Sequence, residues 1–295
     1  MLPECIQGLQ IKPDGIYVDV TFGGGGHSKG ILAQLGESGK LYAFDQDADA
    51  KQNAKDIDDK RLIFIEANFR NLKKYLRLYG VKKVNGIIAD FGISSHQIDE
   101  PSRGFSTRFD GKLDMRMNQK GDISAFHVVN QYPEEQLHKV FGMYGEVKNA
   151  RTLASAIMSA RANAPVHTTA ELKAILQRFA PRGKESKYMA QVFQAIRIEV
   201  NEELKVIEEF LEQIPDLLSP EGRLVVMSFH SLEDRLVKNY IKTGKFSGEV
   251  EKDLFGNELR PLESVTRKPL EASPEEISQN PRSRSAKLRI AKLKE

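Results

Sequence analysis

IYVDVTFGGGGHSKGILAQLGESGKLYAFDQD, residues 16–47, is the stretch that decides the fold. Residues 16–22 have the β-branched and aromatic make-up of a buried strand. Four glycines follow at 23–26, and His27 and Ser28 then open an amphipathic run carrying Ile31, Leu32 and Leu35. Glycine at such a turn lets the backbone approach a ligand and adopt positive φ, and the start of the helix behind it offers unpaired N–H groups. Residues 41–44 form a second short strand, and Asp45 closes it, 20 residues beyond Gly25. An acid at that distance is where a Rossmann-type sheet grips ribose hydroxyls.

Other glycine-loop readings fail on particular residues. The dinucleotide pattern G-x-G-x-x-G meets Ser28 when started at Gly23 and Lys29 when started at Gly24. A phosphate-binding P-loop in LGESGKLY has Gln34 in place of its first glycine and Leu41 in place of its metal-binding hydroxyl. Gly36 and Gly39 read as a helix C-cap and a turn. S-adenosylmethionine, a nucleoside without phosphate, suits a loose glycine loop with an acid on the next strand.

Strand and helix then alternate: a helix over 47–57, a strand over 61–66, a helix over 69–79 closed by Gly80, and a strand over 84–91. This alternation predicts parallel strands with helices on both faces, and right-handed crossovers put the ligand at the strands' carboxyl ends. Gly25, Asp45, Asn68 or Phe69, and Asp90 all fall on that edge. After Asp90 the polar stretch GISSHQIDEPSRGFSTRFDGKLDMRMN reads as a long functional loop without structure. Short helices follow over 132–179, with Thr168 and Glu171 as a capping box, and residues 186–214 read as one long helix. Strand character returns at 222–229, so a helical insertion over 113–200 is expected between two parts of one α/β domain, 1–112 and 201–295. Ser231 is expected to cap a helix over 232–241, and 264–270 with 286–293 to form a closing hairpin around the basic turn NPRSRS.

A single cysteine, Cys5, excludes a disulfide framework and a cysteine-cage metal site, and fits the reducing cytoplasm. No run of about 18 apolar residues is present, so no membrane partner is expected. Net charge is only +3, but residues 148–187 carry eight Lys/Arg against two Glu, and 281–295 carry six against one acid. Two basic stretches on a near-neutral chain point to a nucleic-acid face.

Asp90 holds the position nearest the reacting atom in a sheet of this type. Ser94, Ser95 and Gln97 follow at once, Asp114 and Arg116 come from the same loop, and His230 ends the fifth strand. Each has a plainer role: a cap for Asp90, turn formation for the serines, a half-buried histidine, and a helix tie for Arg197 with Asn201. The six histidines lack ligand spacing, so no metal is expected.

TFGGGGHS, DFGISSHQID, RGFS, LDMRM, FQAIRIEVNEEL, SFHSLEDR and NPRSRS together resemble the ribosomal RNA small subunit methyltransferase H family, the 16S rRNA (cytosine-N4)-methyltransferases, over nearly the whole chain. The resemblance implies a class I S-adenosylmethionine methyltransferase (Rossmann-like) sheet with an inserted helical substrate-recognition subdomain. It implies S-adenosyl-L-methionine as cofactor, held by Gly25, Gly26, His27, Asp45, Phe69, Asp90 and Gln97. The implied partner is 16S rRNA within the small ribosomal subunit, a homodimer being left open. Candidate catalytic groups are Asp90, Ser94, Ser95, Asp114 and His230. A non-catalytic RNA-binding or assembly factor is the alternative, and a nicotinamide oxidoreductase a third. Two departures accompany the resemblance. The family pattern has a few more residues, including an apolar segment, ahead of Met1, so a truncated or misassigned start is expected. KESKYMAQ also replaces a His-Pro-bearing approach to the long helix, which bears on a local RNA contact.

Overall fold

A computed structural model describes residues 1–294. The chain divides into two compact units, one made of Met1–Gly92 with Leu204–Glu295, the other of Ile93–Glu203. The expected insertion began at 113 and ended at 200; the compact helical unit takes in the preceding twenty residues as well.

The first unit is built on a sheet. Its strands are β1 (Ile16–Asp19), β2 (Lys40–Asp45), β3 (Leu62–Glu66), β4 (Val84–Asp90), β5 (Leu218–Ser228), β6 (Leu262–Ser264), β7 (Leu270–Glu271) and β8 (Lys287–Leu293). The order is β3-β2-β1-β4-β5-β8-β6, with β7 also pairing β8. The first five are mutually parallel, and β8 runs antiparallel to β5. The mixed α/β architecture predicted from the alternation is therefore the one found. The closing strands do not form one simple hairpin: β6 and β7 each pair with β8. A helix, Pro274–Gln279, and a 3-10 turn, Pro281–Ser285, precede β8 where only a basic turn was expected.

Successive strand residues point to opposite faces, and both faces are buried. Val18, Ile87, Leu224 and Val226 pack under the helices Leu72–Leu78, Glu203–Leu217 and Ser231–Thr243. Tyr17, Ile88, Val225 and Met227 pack under Leu2–Leu9 and Gly26–Leu32. A parallel sheet covered on both faces has apolar residues at consecutive positions, which is why IIAD and LVVM read as continuous runs. No helix among the described residues is long and apolar enough to cross a membrane.

The second unit is helical around its own core, including Met115, Val128, Phe141, Leu153, Leu172, Val192 and Ile196. The stretch after Asp90 is not the structureless loop expected. It contains the helix Ser95–Asp99 and the 3-10 turn Pro101–Arg103, and Lys112 pairs with Thr168. Thr168 caps Thr169–Gln177 in the predicted box with Glu171. The single helix expected over 186–214 is in fact two, Glu185–Asn201 and Glu203–Leu217. Glu202, with φ 49, turns the chain left-handed between them. Neither glycine nor proline marks that break. Its cause is side-chain bonding: Asn201 reaches back to the Arg197 carbonyl and out to the 115–117 backbone, while Arg197 takes Glu203 with two bonds, 2.8 and 2.9 Å.

Candidate active site

The carboxyl ends of β1, β2 and β4 carry the site. Beyond β1 the chain leaves the sheet by a turn in which Gly25 N–H donates to the Phe22 carbonyl at 2.7 Å. Gly25 has φ 75, and a Cβ there would meet the Phe22 ring at 2.9 Å, so only glycine fits. Gly24 and Gly26 differ. A Cβ on either would meet nothing within 4 Å, so their surface faces open space.

Asp45 ends β2 with its carboxylate fixed by two backbone donors. Gly23 N–H donates to Oδ2 at 2.8 Å and Asp47 N–H to Oδ1 at 2.9 Å. Burial raises the Asp45 carboxyl to about 6 in spite of these bonds. Each oxygen retains acceptor capacity, so the pair can take two adjacent hydroxyls. Phe69 follows β3, half-buried and stacked on Phe91 at 6.0 Å, with Phe210 edge-on to both. Asn68, the other residue considered at this place, caps the turn: its side chain accepts from Arg70 N–H and donates to Gln46.

Asp90 ends β4. Its N–H donates to Thr21 Oγ1 at 2.7 Å, tying it to the glycine loop. Oδ2 stands 3.8 Å from His27 Nδ1, and Oδ1 is buried without a hydrogen-bond partner among the described residues. Burial, then the charges of Asp19 and Glu233, push the Asp90 carboxyl up to about 8. Asp19, fully buried at the end of β1, accepts from Thr21 N–H at 3.1 Å and Ser28 Oγ–H at 2.7 Å. Burial raises the Asp19 carboxyl and lowers the His27 imidazole, each partly offset by the other's charge. Asp19, Thr21 and Glu233 were not among the residues singled out. The signal for Asp19 was an acid inside the strand VDV, where only a paired carboxylate survives burial.

His230 caps the helix Ser231–Thr243, the place expected for Ser231. Its Nδ1 accepts from Glu233 N–H at 3.4 Å and its Nε2 lies 3.1 Å from Glu233 Oε1. The cap occupies Nδ1 alone, and Nε2 is buried without a hydrogen-bond partner among the described residues.

The remaining candidates lie in the helical unit. Ser94 and Gln97 form a reciprocal capping box: Ser94 Oγ accepts from Gln97 N–H at 3.1 Å, and Gln97 Oε1 from Ser94 N–H at 2.9 Å. Ser95 is exposed on the first turn of that helix. Asp114 is held by Arg116 through 3.0 and 2.6 Å bonds. Burial alone would raise the Asp114 carboxyl, but those bonds hold it below the usual carboxylate range, which makes it a weak base.

A family model for the MraW methylase family matches residues 1–294. The chain belongs to the MraW methylase family. The ribosomal RNA small subunit methyltransferase H of Cytophaga hutchinsonii is 58% identical over 291 residues, covering 99% of this chain and 97% of its own. That of Christiangramia forsetii is 57% identical, covering 99% and 96%. A solved rRNA methylase from Streptococcus thermophilus aligns at TM-score 0.41 and 14% identity, covering 100% of this chain and 94% of its own, too distant to carry an argument.

The cofactor of this methylase chain is S-adenosyl-L-methionine, and the residues fit it. Asp45 offers two fixed acceptors for vicinal hydroxyls. Phe69 offers a partly exposed ring next to them in chain order along the sheet edge. Gly24 and Gly26 leave space where a side chain would intrude. No phosphate-binding lysine is needed for such a ligand, which agrees with the failure of the dinucleotide and P-loop patterns.

Proposed function

We propose that this chain methylates N4 of a cytosine in the decoding region of 16S rRNA. The relatives named above are small-subunit rRNA methyltransferases, which supports rRNA as the substrate class. The choice of an exocyclic amine rests on Asp90. Asp90, at the end of β4, keeps its side chain 29% exposed beside the 3.8 Å approach of Oδ2 to His27, so it can accept an N–H from outside, and a cytosine amine brings two.

That amine is a poor nucleophile because its lone pair is delocalised into the ring. When bound, S-adenosyl-L-methionine supplies an electrophilic methyl on a sulfonium sulfur. Asp90 accepts one amine N–H, which orients the nitrogen lone pair, and takes that proton as the N–C bond forms. With its carboxyl at about 8, Asp90 is a base matched to a weakly acidic donor near neutral pH. Asp19, His27 and Thr21 hold the glycine loop and Asp90 in register. The other candidate groups, Ser94, Asp114 and His230, are engaged in caps and an ion pair, and Gln97 is engaged in the capping box with Ser94. The base must leave its stack to be reached, while exposed Lys148, Arg151, Arg178, Arg182, Lys184 and Lys187 of the helical unit, with Arg282 and Arg284, take phosphates.

The test is incubation with labelled S-adenosyl-L-methionine and unmethylated small subunits, followed by nuclease digestion and mass spectrometry. Label on cytosine N4 supports the proposal. Label elsewhere on the RNA, or none, overturns it.

A further inference from the structure

Between the helix Ser231–Thr243 and β6 the chain throws out an arm that the methyl-transfer reading does not use. Lys252 and Glu258 pair as an antiparallel bridge, and Leu259 N–H donates to the Glu251 carbonyl at 2.8 Å. The arm ends in a tight turn built by Asp253. Its Oδ1 accepts from the N–H groups of Phe255 and Asn257, both at 2.8 Å, and its Oδ2 from Asn257 Nδ2 at 2.9 Å. Gly256, at φ 86, completes it. With Asp253 N–H donating to the Asn257 carbonyl at 2.9 Å and Gly256 N–H to the Asp253 carbonyl at 3.0 Å, five local bonds hold a turn whose two apical side chains are in solvent: Leu254 is 102% exposed and Phe255 90%. An apolar pair so presented costs solubility without stabilising the fold, which is the mark of an anchor for a partner.

Charge decides the kind of partner. Residues 249–260 hold four acids and two bases, a net charge of −2; Glu251 pairs with Lys245 at 2.6 Å and Glu258 with Arg260 at 3.3 Å, leaving Glu249 and Asp253 to carry the acidic character. Hydrogen bonds from Asn257 keep the Asp253 carboxyl below its usual range, so the charge beside the apex persists. A polyanion would be repelled by this arm. A protein that itself binds RNA carries the opposite charge, because it neutralises phosphates. We propose that the arm docks Leu254 and Phe255 into an apolar socket rimmed by basic side chains on a protein of the ribonucleoprotein substrate. This rests on the rRNA reading and deepens it: the arm recognises an assembled particle and not the RNA alone.

The test compares wild type with the double variant Leu254→Ser, Phe255→Ser, using the whole chain. Affinities for labelled small subunits and for protein-free 16S rRNA are measured by anisotropy, with melting and S-adenosylhomocysteine binding alongside. The expected result is about a tenfold or greater loss for subunits, unchanged affinity for protein-free RNA, and unchanged melting. Phe255→Leu, which keeps an apolar apex, retains subunit binding. An equal loss on both substrates would place the arm on RNA and overturn the proposal, as would no loss on either. A dimer in wild type that becomes a monomer in the variant would overturn it in favour of a second copy. Wild type that binds neither substrate refutes the rRNA reading itself, a result distinct from any of these.

Discussion

His27 Nδ1 and Asp90 Oδ2 face each other at 3.8 Å across the end of the parallel sheet, one from the glycine loop and one from β4. The distance is too long for a hydrogen bond and short enough for each to feel the other's charge. Burial holds the imidazole below its usual value and the carboxyl above its own. At neutral pH the pair is therefore mainly uncharged, and ionising Asp90 is the step that arms the site.

The first prediction concerns that ionisation. Asp90→Asn lowers methyl transfer by about 10²- to 10⁴-fold, the usual worth of a positioned base, while S-adenosylhomocysteine binding is kept. In wild type the single-turnover rate at saturating cofactor rises with pH and levels off above about 8. Stability moves the other way. A carboxyl whose folded value is raised contributes stability present below its unfolded value, and that stability is lost as pH rises through about 8. The melting-temperature gain of Asp90→Asn over wild type therefore grows between pH 5 and 9, reaching about 2–4 °C. Full transfer by the Asn variant would remove Asp90 from the mechanism.

Cofactor affinity should depend on a lower pH window. Asp45 rises to about 6, and the ionised form is the better acceptor for two hydroxyls. Binding of S-adenosylhomocysteine, followed by calorimetry, is expected to be flat from pH 7 to 8 and to weaken as pH falls through about 6. Asp45→Ala should weaken it by about 10- to 100-fold, as expected for losing hydrogen bonds to a charged group. Binding indifferent to pH between 5 and 7 would mean that Asp45 does not touch the ligand.

The last three glycines of the loop separate folding from binding. At Gly25 an alanine must adopt φ 75 and crowd Phe22, so Gly25→Ala lowers the melting temperature at a cost of about 1–2 kcal/mol. At Gly24 and Gly26 a methyl meets no protein atom within 4 Å. Gly24→Ala and Gly26→Ala should melt like wild type and still lose affinity for the cofactor. If both bind normally, the space beside them belongs to something else.

What the sequence disclosed and what it hid follow from the range of the interactions involved. Strand–helix alternation and the Gly25–Asp45 spacing are local patterns, so the parallel sheet and Asp45 at its edge were readable from residues 16–91. Asp19 was passed over because its partners, Thr21 and Ser28, become visible only when the glycine loop folds back. His230 also caps a helix through Nδ1, a role that histidine fills too seldom to be read from SFHSLEDR. The break at Glu202 was hidden for a related reason. Apolar spacing continues through 186–214 as if the helix were unbroken, and the interruption is made by contacts with a segment more than eighty residues away.

That break gives the last prediction. Asn201 donates to the Met115 carbonyl at 2.8 Å and accepts from Met117 N–H at 2.8 Å, clamping LDMRM on both sides of Arg116, directly after Met115. Met115 is fully buried at φ 57, a left-handed conformation that a long side chain rarely adopts. Strain of about 1–3 kcal/mol persists only where the surroundings enforce it, and here Asn201 shares the enforcement with Arg103, whose carbonyl accepts from Met115 N–H at 2.9 Å and whose guanidinium donates to the Arg116 carbonyl at 3.0 Å. Asn201→Ala removes both bonds and lets Met115 relax, at a cost of about 2–3 kcal/mol. Asn201→Asp keeps the acceptor for Met117 but turns an anion toward the Met115 carbonyl, so it should be no better. Hydrogen exchange is the decisive measurement. In the alanine variant, the amides of residues 113–118 should exchange faster while those of β1 and β4 are unchanged. Equal acceleration in both regions would show that Asn201 supports the whole chain, and no acceleration at 113–118 would show that the clamp is not what holds Met115.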